Sequence, residues 1–218
     1  MAKPSRQAII ASLLGRHGRT FAQELGIKIQ GNTPSPLFRL LCAALLFSTR
    51  ISADLAEQAA RALANEGWTT PQKMAAATWE ERTRVLNRSG YARYDESTSR
   101  MLGETAQLLL DRYRGDLRKL REEAGRVPTQ ERRLLREFKG IGEVGVDIFF
   151  REAQAVWEEL FPFADRKALQ GAKELGLPTE AGQLSSLVAP RDFPRLVAAL
   201  VRMQLSHTNQ EIVAAAGS

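Results

Sequence analysis

The fold is decided by the stretch Leu134-Leu135-Arg136-Glu137-Phe138-Lys139-Gly140-Ile141-Gly142-Glu143-Val144-Gly145-Val146. It places two glycines, separated by one apolar residue, between two segments whose apolar spacing is helical. Glycine permits a tight turn and a close approach to a ligand, and the amides that begin the second helix can point at a phosphate. The pattern predicts a helix-hairpin-helix that contacts a DNA backbone without reading bases. A plain glycine-rich connection between two helices is the alternative, and the glycine spacing alone does not exclude it.

The rest of the chain predicts an all-α fold. Apolar residues recur at intervals of three and four, Gly, Pro, Asn and Asp punctuate them, and β-branched alternation is almost absent. The predicted helices are a first one marked by Ile9, Ile10, Leu13 and Leu14, then residues 37–47, then a helix that starts near Ser52 or Asp54 and runs to Gly67, and then residues 71–76, 79–86, 95–114, 117–123, 129–138 and 144–160. The predicted backbone-binding hairpin consists of Lys139, Gly140, Ile141, Gly142, Glu143, Val144 and Gly145.

Composition narrows the class of partner. The chain has 218 residues, with 31 Lys and Arg against 25 Asp and Glu, a net charge of +6 and a pI near 9.8. This balance favours a polyanionic partner, with nucleic acid, a membrane surface and an acidic protein as the alternatives.

The single cysteine, Cys42, excludes an intramolecular disulfide and a four-cysteine iron-sulfur cluster, and His17 and His207 lie far apart, so we predict no structural metal. The start of the chain lacks a secretory pattern and the apolar runs are short, which predicts a cytoplasmic protein without a membrane partner.

A second pattern follows the hairpin. The segment Phe161-Pro162-Phe163-Ala164-Asp165-Arg166-Lys167-Ala168-Leu169 puts an acid at the start of a helix after a proline-containing turn. Hairpin, helix, loop and aspartate in this order resemble the endonuclease III superfamily of helix-hairpin-helix DNA glycosylases. Upstream, Leu45-Leu46-Phe47-Ser48-Thr49-Arg50-Ile51-Ser52-Ala53-Asp54 and Gly90-Tyr91-Ala92-Arg93 are similar to two further loops of that family. The resemblance covers residues 37–170, with four landmarks in the family's order.

The resemblance implies a two-domain helical fold with a cleft between the domains. A helical barrel would span residues 37–158 and contain the hairpin motif at about 129–158, and residues 1–36 and 159–218 would form the second domain. Asp165, on the second domain, matches the family's catalytic aspartate. A carboxylate beside the anomeric carbon stabilises the positive charge that develops on the sugar as a base departs. The alternative role of Asp165 is a helix N-cap, and both roles can coexist.

The chain departs from the family at the position of its Schiff-base lysine. That residue stands two positions after the second hairpin glycine, where this chain has Val144. Lys139 and Lys167 lie nearby in sequence but not at the matching position, and a lysine near DNA is more often a phosphate contact. We therefore expect a monofunctional glycosylase that uses water. A bifunctional glycosylase and abasic-site lyase with a displaced lysine is one alternative, and a non-catalytic protein that binds DNA damage is another.

Two loops match the family's base-gap and wedge positions. Arg50 stands where the family has a gap-filling glutamine, and it can stack on bases and donate to the opposite base. A surface arginine after a helix end is the alternative. Tyr91, Ala92 and Arg93 fall on the second wedge loop, although Tyr91 suits a core equally well.

The end of the chain lacks the cysteine cluster of the iron-sulfur members. We expect no cofactor, apart from a monovalent cation at the hairpin when DNA is bound. The expected partner is double-stranded DNA with a damaged or mismatched base, bound by a monomer associated with the nucleoid.

Overall fold

The computed structural model describes residues 4–217, and every regular element among them is a helix. The prediction of an all-α fold is confirmed. In chain order the α-helices are α1 (Arg6–His17), α2 (Phe21–Glu24), α3 (Pro34–Phe47), α4 (Ala53–Asn65), α5 (Pro71–Ala76), α6 (Trp79–Arg88), α7 (Asp95–Tyr113), α8 (Leu117–Glu123), α9 (Pro128–Leu135), α10 (Glu143–Ala153), α11 (Arg166–Glu174), α12 (Ala181–Ser185), α13 (Phe193–Ser206) and α14 (Asn209–Ala216). Short 3-10 turns cover Ile29–Gly31, Glu158–Leu160 and Pro190–Asp192. None of the described helices is long and apolar enough to cross a bilayer.

The chain divides into two compact units. The central unit is Leu25–Glu159, and the terminal unit combines the described residues up to Glu24 with those from Leu160 onward. The central unit begins earlier than residue 37, where the expected division placed it. The reason is that the side chains of Leu25 and Ile27 line a small cavity against α3 and α4, while Asn32 accepts a hydrogen bond from the Trp157 indole at 3.2 Å.

Helix α3 forms the core of the central unit. It starts at Pro34, where proline suits the first turn of a helix, and nearly all of its apolar side chains are buried. Helices α4, α7, α8 and α10 pack against it. Because α3 is apolar around most of its circumference, it can be covered on several sides at once, which is the arrangement of a central helix in a bundle.

Local capping signals determine where several helices begin. Ser52 caps α4 by accepting from the Leu55 amide at 3.3 Å. Thr78 and Glu81 form a reciprocal capping box at the start of α6. Helix α10, in contrast, ends at Ala153, well before the predicted residue 160. The apolar spacing continues past that point, but the Trp157 indole is held by Asn32 and by an edge contact with Phe149, with ring centroids 5.3 Å apart.

The terminal unit is built on α13. Helices α1 and α11 pack on α13, and α14 packs on α1. At Gly171 of α11, an added Cβ would lie 2.8 Å from the Leu200 carbonyl oxygen of α13. The two backbones therefore approach closely because position 171 has no side chain. This contact supports α11, the helix that begins directly after Asp165.

Candidate functional site

The two-glycine turn connects α9 to α10 and packs tightly inside the central unit. Gly140 has a φ of +85°, a conformation that residues with a side chain rarely adopt. An added Cβ at this position would lie 2.5 Å from the Met101 sulfur and 3.4 Å from Leu45 Cγ. Ile141, between the glycines, is only 3% exposed. The turn thus has the expected anchor, and glycine is required at the first of its two positions.

The first turn of α10 has Glu143 and Val144 exposed and Gly145 buried. Gly142 is the N-cap residue and no side chain caps the helix there. The first helical bond runs from the Val146 amide to the Gly142 carbonyl oxygen at 3.0 Å. The amides of Glu143, Val144 and Gly145 precede that bond, so they have no acceptor within the helix. Such a helix start is suited to an anion such as a backbone phosphate.

Side-chain charges on the hairpin are largely paired with one another. Arg132 contacts Glu143 at 2.8 Å and Asp147 at 2.7 Å, and Arg136 contacts Glu143 at 2.6 Å. These pairs are partly exposed, so each contributes little to stability. Lys139 is also exposed. Since acids and bases alternate on this surface, any attraction for an anion comes from the oriented amides more than from net charge.

Replacing Gly140 by alanine is expected to lower the free energy of unfolding by about 1–3 kcal/mol. The new methyl group would force a left-handed backbone on a residue with a side chain and would overlap Met101. Denaturant unfolding of purified protein measures the change. Gly142→Ala is the matched control, because Gly142 has a negative φ and nothing lies within 4 Å of an added Cβ. Equal losses at the two positions would contradict this account of the turn.

Asp165 lies in the terminal unit and caps α11. Its Oδ1 accepts a hydrogen bond from the Ala168 amide at 2.8 Å, and the residue is only 6% exposed. The N-cap role considered from the sequence is therefore present. It does not conflict with a catalytic role, because a carboxylate can accept several hydrogen bonds. The cap also holds the side chain in one orientation, as a catalytic acid requires. The catalytic role stays a prediction.

The residue two positions after the second glycine of the turn is an exposed valine. Val144 is 60% exposed on the first turn of α10. Lys139 is exposed in the hairpin of the central unit, and Lys167 is exposed on α11 of the terminal unit. Neither amine belongs to the first turn of α10, where the family's lysine would stand.

The wedge residues differ from one another in burial. Tyr91 is buried, and its hydroxyl donates to the Leu46 carbonyl oxygen at 3.2 Å. Burial raises the pKa of this phenol. Tyr91 therefore has the core position considered as its alternative, and its ring does not project from the loop. Ala92 and Arg93 are exposed on that loop, and Arg50 is exposed after the end of α3. The wedge prediction now concerns these three residues.

A buried carboxyl pair was missed by reasoning from the sequence. Glu131 of α9 is 0% exposed, and neither of its oxygens has a hydrogen-bond donor among the described residues. Nearby, Glu159 receives two hydrogen bonds from Arg121, both at 2.5 Å. Burial, with a contribution from Glu159, raises the pKa of Glu131 to about 8. At Glu159 burial alone would raise the pKa. Hydrogen bonds from Arg121 and Glu131 outweigh burial and lower the pKa of Glu159 to about 2.

The two opposite pKa shifts correspond to one proton, held by Glu131, beside an ionised Glu159. A protonated Glu131 can donate to the Glu159 carboxylate, which satisfies an otherwise unpartnered buried acid. Nothing in the spacing of residues 121, 131 and 159 indicates this contact. A glutamate on the apolar face of α9, beside Leu134 and Leu135, was the available signal.

No group of three or more His, Cys, Asp or Glu side chains among residues 4–217 could hold a metal ion.

No protein-family model matches the chain, and no curated protein sequence matches it. Among solved structures, the chain is similar to one described as "Structure of a Trapped Endonuclease III-DNA Covalent Intermediate: Estranged-Adenine Complex", with 17% sequence identity and a TM-score of 0.49. The similarity covers 77% of this chain and 73% of that chain.

Proposed function

We propose that this protein is a base-excision DNA glycosylase that hydrolyses the N-glycosidic bond of a damaged or mismatched base in duplex DNA. The observation that carries the proposal is Asp165, a buried carboxylate held in a fixed orientation by the Ala168 amide at the start of α11. The two-glycine turn with its uncapped amides supports DNA as the partner. The order of these motifs along the chain supports the same assignment.

The proposed reaction needs a water molecule and one carboxylate. As the bond from C1′ to the base nitrogen breaks, its electron pair leaves with the base, which takes up a proton. Positive charge develops on the sugar, and the Asp165 carboxylate stabilises it. Water then supplies a hydroxyl group to C1′ and loses a proton, which leaves an abasic site. The base itself must leave the stack, and the exposed loop residues Arg50, Ala92 and Arg93 are the proposed groups that occupy the gap.

The experiment that tests the function is a screen of duplexes that each carry one altered base or mismatch. The panel includes alkylated purines, uracil and thymine mismatches, oxidised bases and adenine opposite an oxidised guanine. Formation of an abasic site on one or more of them is the expected result. Binding to lesions without excision anywhere on the panel would instead identify a damage-binding protein.

We expect the enzyme to be monofunctional, because Val144 offers no amine at the position of the family's lysine. Borohydride reduction during excision should give no covalent protein–DNA adduct, and strand cleavage should require alkali or heat. Denaturing gels of the same reaction measure both results. A trapped adduct would contradict this expectation, and Lys139→Ala and Lys167→Ala would then identify the displaced amine of a bifunctional enzyme.

A further inference from the structure

Arg82 is a buried cation that forms no salt bridge with the described residues, although Glu80 and Glu81 lie close enough to act on its charge. The residue is 7% exposed. Its guanidinium donates to three carbonyl oxygens, those of Ser99 at 2.9 Å, Met74 at 2.9 Å and Ala77 at 2.5 Å. Among the described residues, no carboxylate pairs with Arg82, and its Nη2 atom makes no hydrogen bond. Buried charges in proteins are normally paired, because removing a charge from water without compensation is costly.

Gly103 of α7 makes room for this guanidinium. An added Cβ at position 103 would lie only 2.5 Å from Arg82 Nη2. The unused donor atom lies directly against the backbone of α7. A side chain at position 103 would therefore displace the guanidinium from its present place.

Arg82 lines a wide, open cleft of about 550 Å³ on the surface of the central unit. The other walls include Trp79, Arg100, Glu104 and Gln107. The cleft is thus lined by a second guanidinium, that of Arg100, and by the side-chain amide of Gln107. Glu104 is the one carboxylate among these lining residues, so the cations exceed the anions.

Trp79 gives the cleft an aromatic wall. Its indole nitrogen donates to the Glu96 carbonyl oxygen at 3.1 Å, which fixes the ring. Guanidinium groups bind phosphate oxygens in pairs of hydrogen bonds, and an indole can stack on a nucleobase. A nucleotide combines both features in one molecule.

We propose that this cleft binds the phosphate group of a nucleotide, with Arg82 Nη2 and Arg100 as donors and Trp79 as the flat wall beside the base. The site lies between α6 and α7. It uses none of the residues assigned above to excision or to the hairpin, and it does not depend on the proposed glycosylase activity. The nucleotide is either free in solution or part of a single strand.

The test is calorimetric titration of the intact protein with thymidine monophosphate, with thymidine and with a short oligothymidylate. Thymidine monophosphate should bind at least about tenfold more tightly than thymidine, since the charge-assisted hydrogen bonds to phosphate are lost in the nucleoside. An oligothymidylate that binds more tightly than the monophosphate would assign the site to single strands. Equal or weaker binding of the strand would assign it to free nucleotides.

Two changes on the same exposed face of α7 should act in opposite directions. Arg100→Gln should weaken binding of thymidine monophosphate by about tenfold, and Glu104→Gln should strengthen it because a like charge is removed. Arg84→Gln is the matched control, since Arg84 is an exposed arginine of α6 that does not line the cleft. The Arg84→Gln variant should bind thymidine monophosphate with the affinity of the parent protein. Gly103→Ala should also abolish binding by displacing Arg82, with circular dichroism to check that the variant is folded.

Binding that is equal for thymidine and its monophosphate, or equal losses in the Arg100 and Arg84 variants, would overturn the proposal. Failure to bind any of the three probes would do the same. The titrations use no lesion, so they separate this site from the proposed function: excision can fail while the nucleotide binds, and the reverse also holds.

Discussion

The Asp165→Asn variant is expected to excise its base at least about a hundredfold to a thousandfold more slowly than the parent protein. Asparagine caps a helix about as well as aspartate, so the hydrogen bond from the Ala168 amide should persist and α11 should stay in place. What the substitution removes is the negative charge that would face the developing positive charge on the sugar. Single-turnover excision on a duplex that the parent protein cleaves measures the loss.

Two further measurements make the Asp165 test specific. Binding of the same duplex should change little, because the hairpin amides and not the aspartate are proposed to hold the phosphates. Asp116→Asn is the matched control, since Asp116 caps α8 in the same manner, with Oδ1 accepting from the Arg118 amide at 2.9 Å. Excision by this control should match the parent protein. Unchanged turnover in Asp165→Asn would remove Asp165 from the reaction and leave it as a cap.

The Glu131→Gln variant is expected to change how stability depends on pH. The pKa of Glu131 is about 8 in the folded protein and close to 4.5 in the unfolded chain. Between these values the folded state holds a proton that the unfolded state has released, so the free energy of unfolding falls as pH rises. Over this window the loss amounts to several kcal/mol, at about 1.4 kcal/mol for each pH unit. Glutamine cannot ionise, so the variant should lack this decline.

The contribution of Glu159 to stability has the opposite pH dependence and falls at low pH. Its lowered pKa contributes stability that is present above the unfolded value and is lost as pH falls toward about 2. A test between pH 5 and 9 therefore excludes the effect of Glu159. Burial also lowers the pKa of His17 from its usual value near 6.5, but this effect is common to the parent protein and the Glu131→Gln variant, so the difference between them reports on Glu131. The charged groups around it are Arg121 and Glu159, with Glu158 acting on Arg121 from the same 3-10 turn.

Urea unfolding at several pH values measures the Glu131 effect. Near pH 5 the variant and the parent protein should have similar stability, and near pH 9 the variant should be more stable by a few kcal/mol. Glu122→Gln, at an exposed position of α8, should keep the slope of the parent protein. The same pH dependence of stability in the parent protein and in Glu131→Gln between pH 5 and 9 would show that Glu131 does not hold its proton as described.

The hairpin illustrates what local sequence could establish. Two glycines around Ile141 predicted a tight turn with an anchored centre, and the structure has a positive φ at Gly140 and a buried Ile141. The start of α4 at Ser52 was likewise predictable, because an N-cap contacts its own helix within a few residues. Interactions between near neighbours depend on a short stretch of chain, so a short stretch suffices to predict them.

Burial was harder to predict from the same residues. Tyr91 stands in a loop whose pattern suits either a wedge or a core residue, and its buried hydroxyl contact with Leu46 decides in favour of the core. The end of α10 was misplaced for a related reason. The apolar period continues beyond Ala153, but the chain leaves the helix where Trp157 meets Asn32. In both cases a partner distant in sequence settled the position.

The helical class, the position of the glycine turn and the aspartate at the start of α11 could be predicted from the sequence, because these features depend on backbone propensity and on contacts within a few residues. Tertiary structure alone decided that Glu131 is enclosed beside Glu159 and that Arg82 lies against Gly103 at a cleft. The free energy of a charge depends on the solvent and the groups that surround it in space. Those surroundings come from segments far apart along the chain, and no local pattern encodes them.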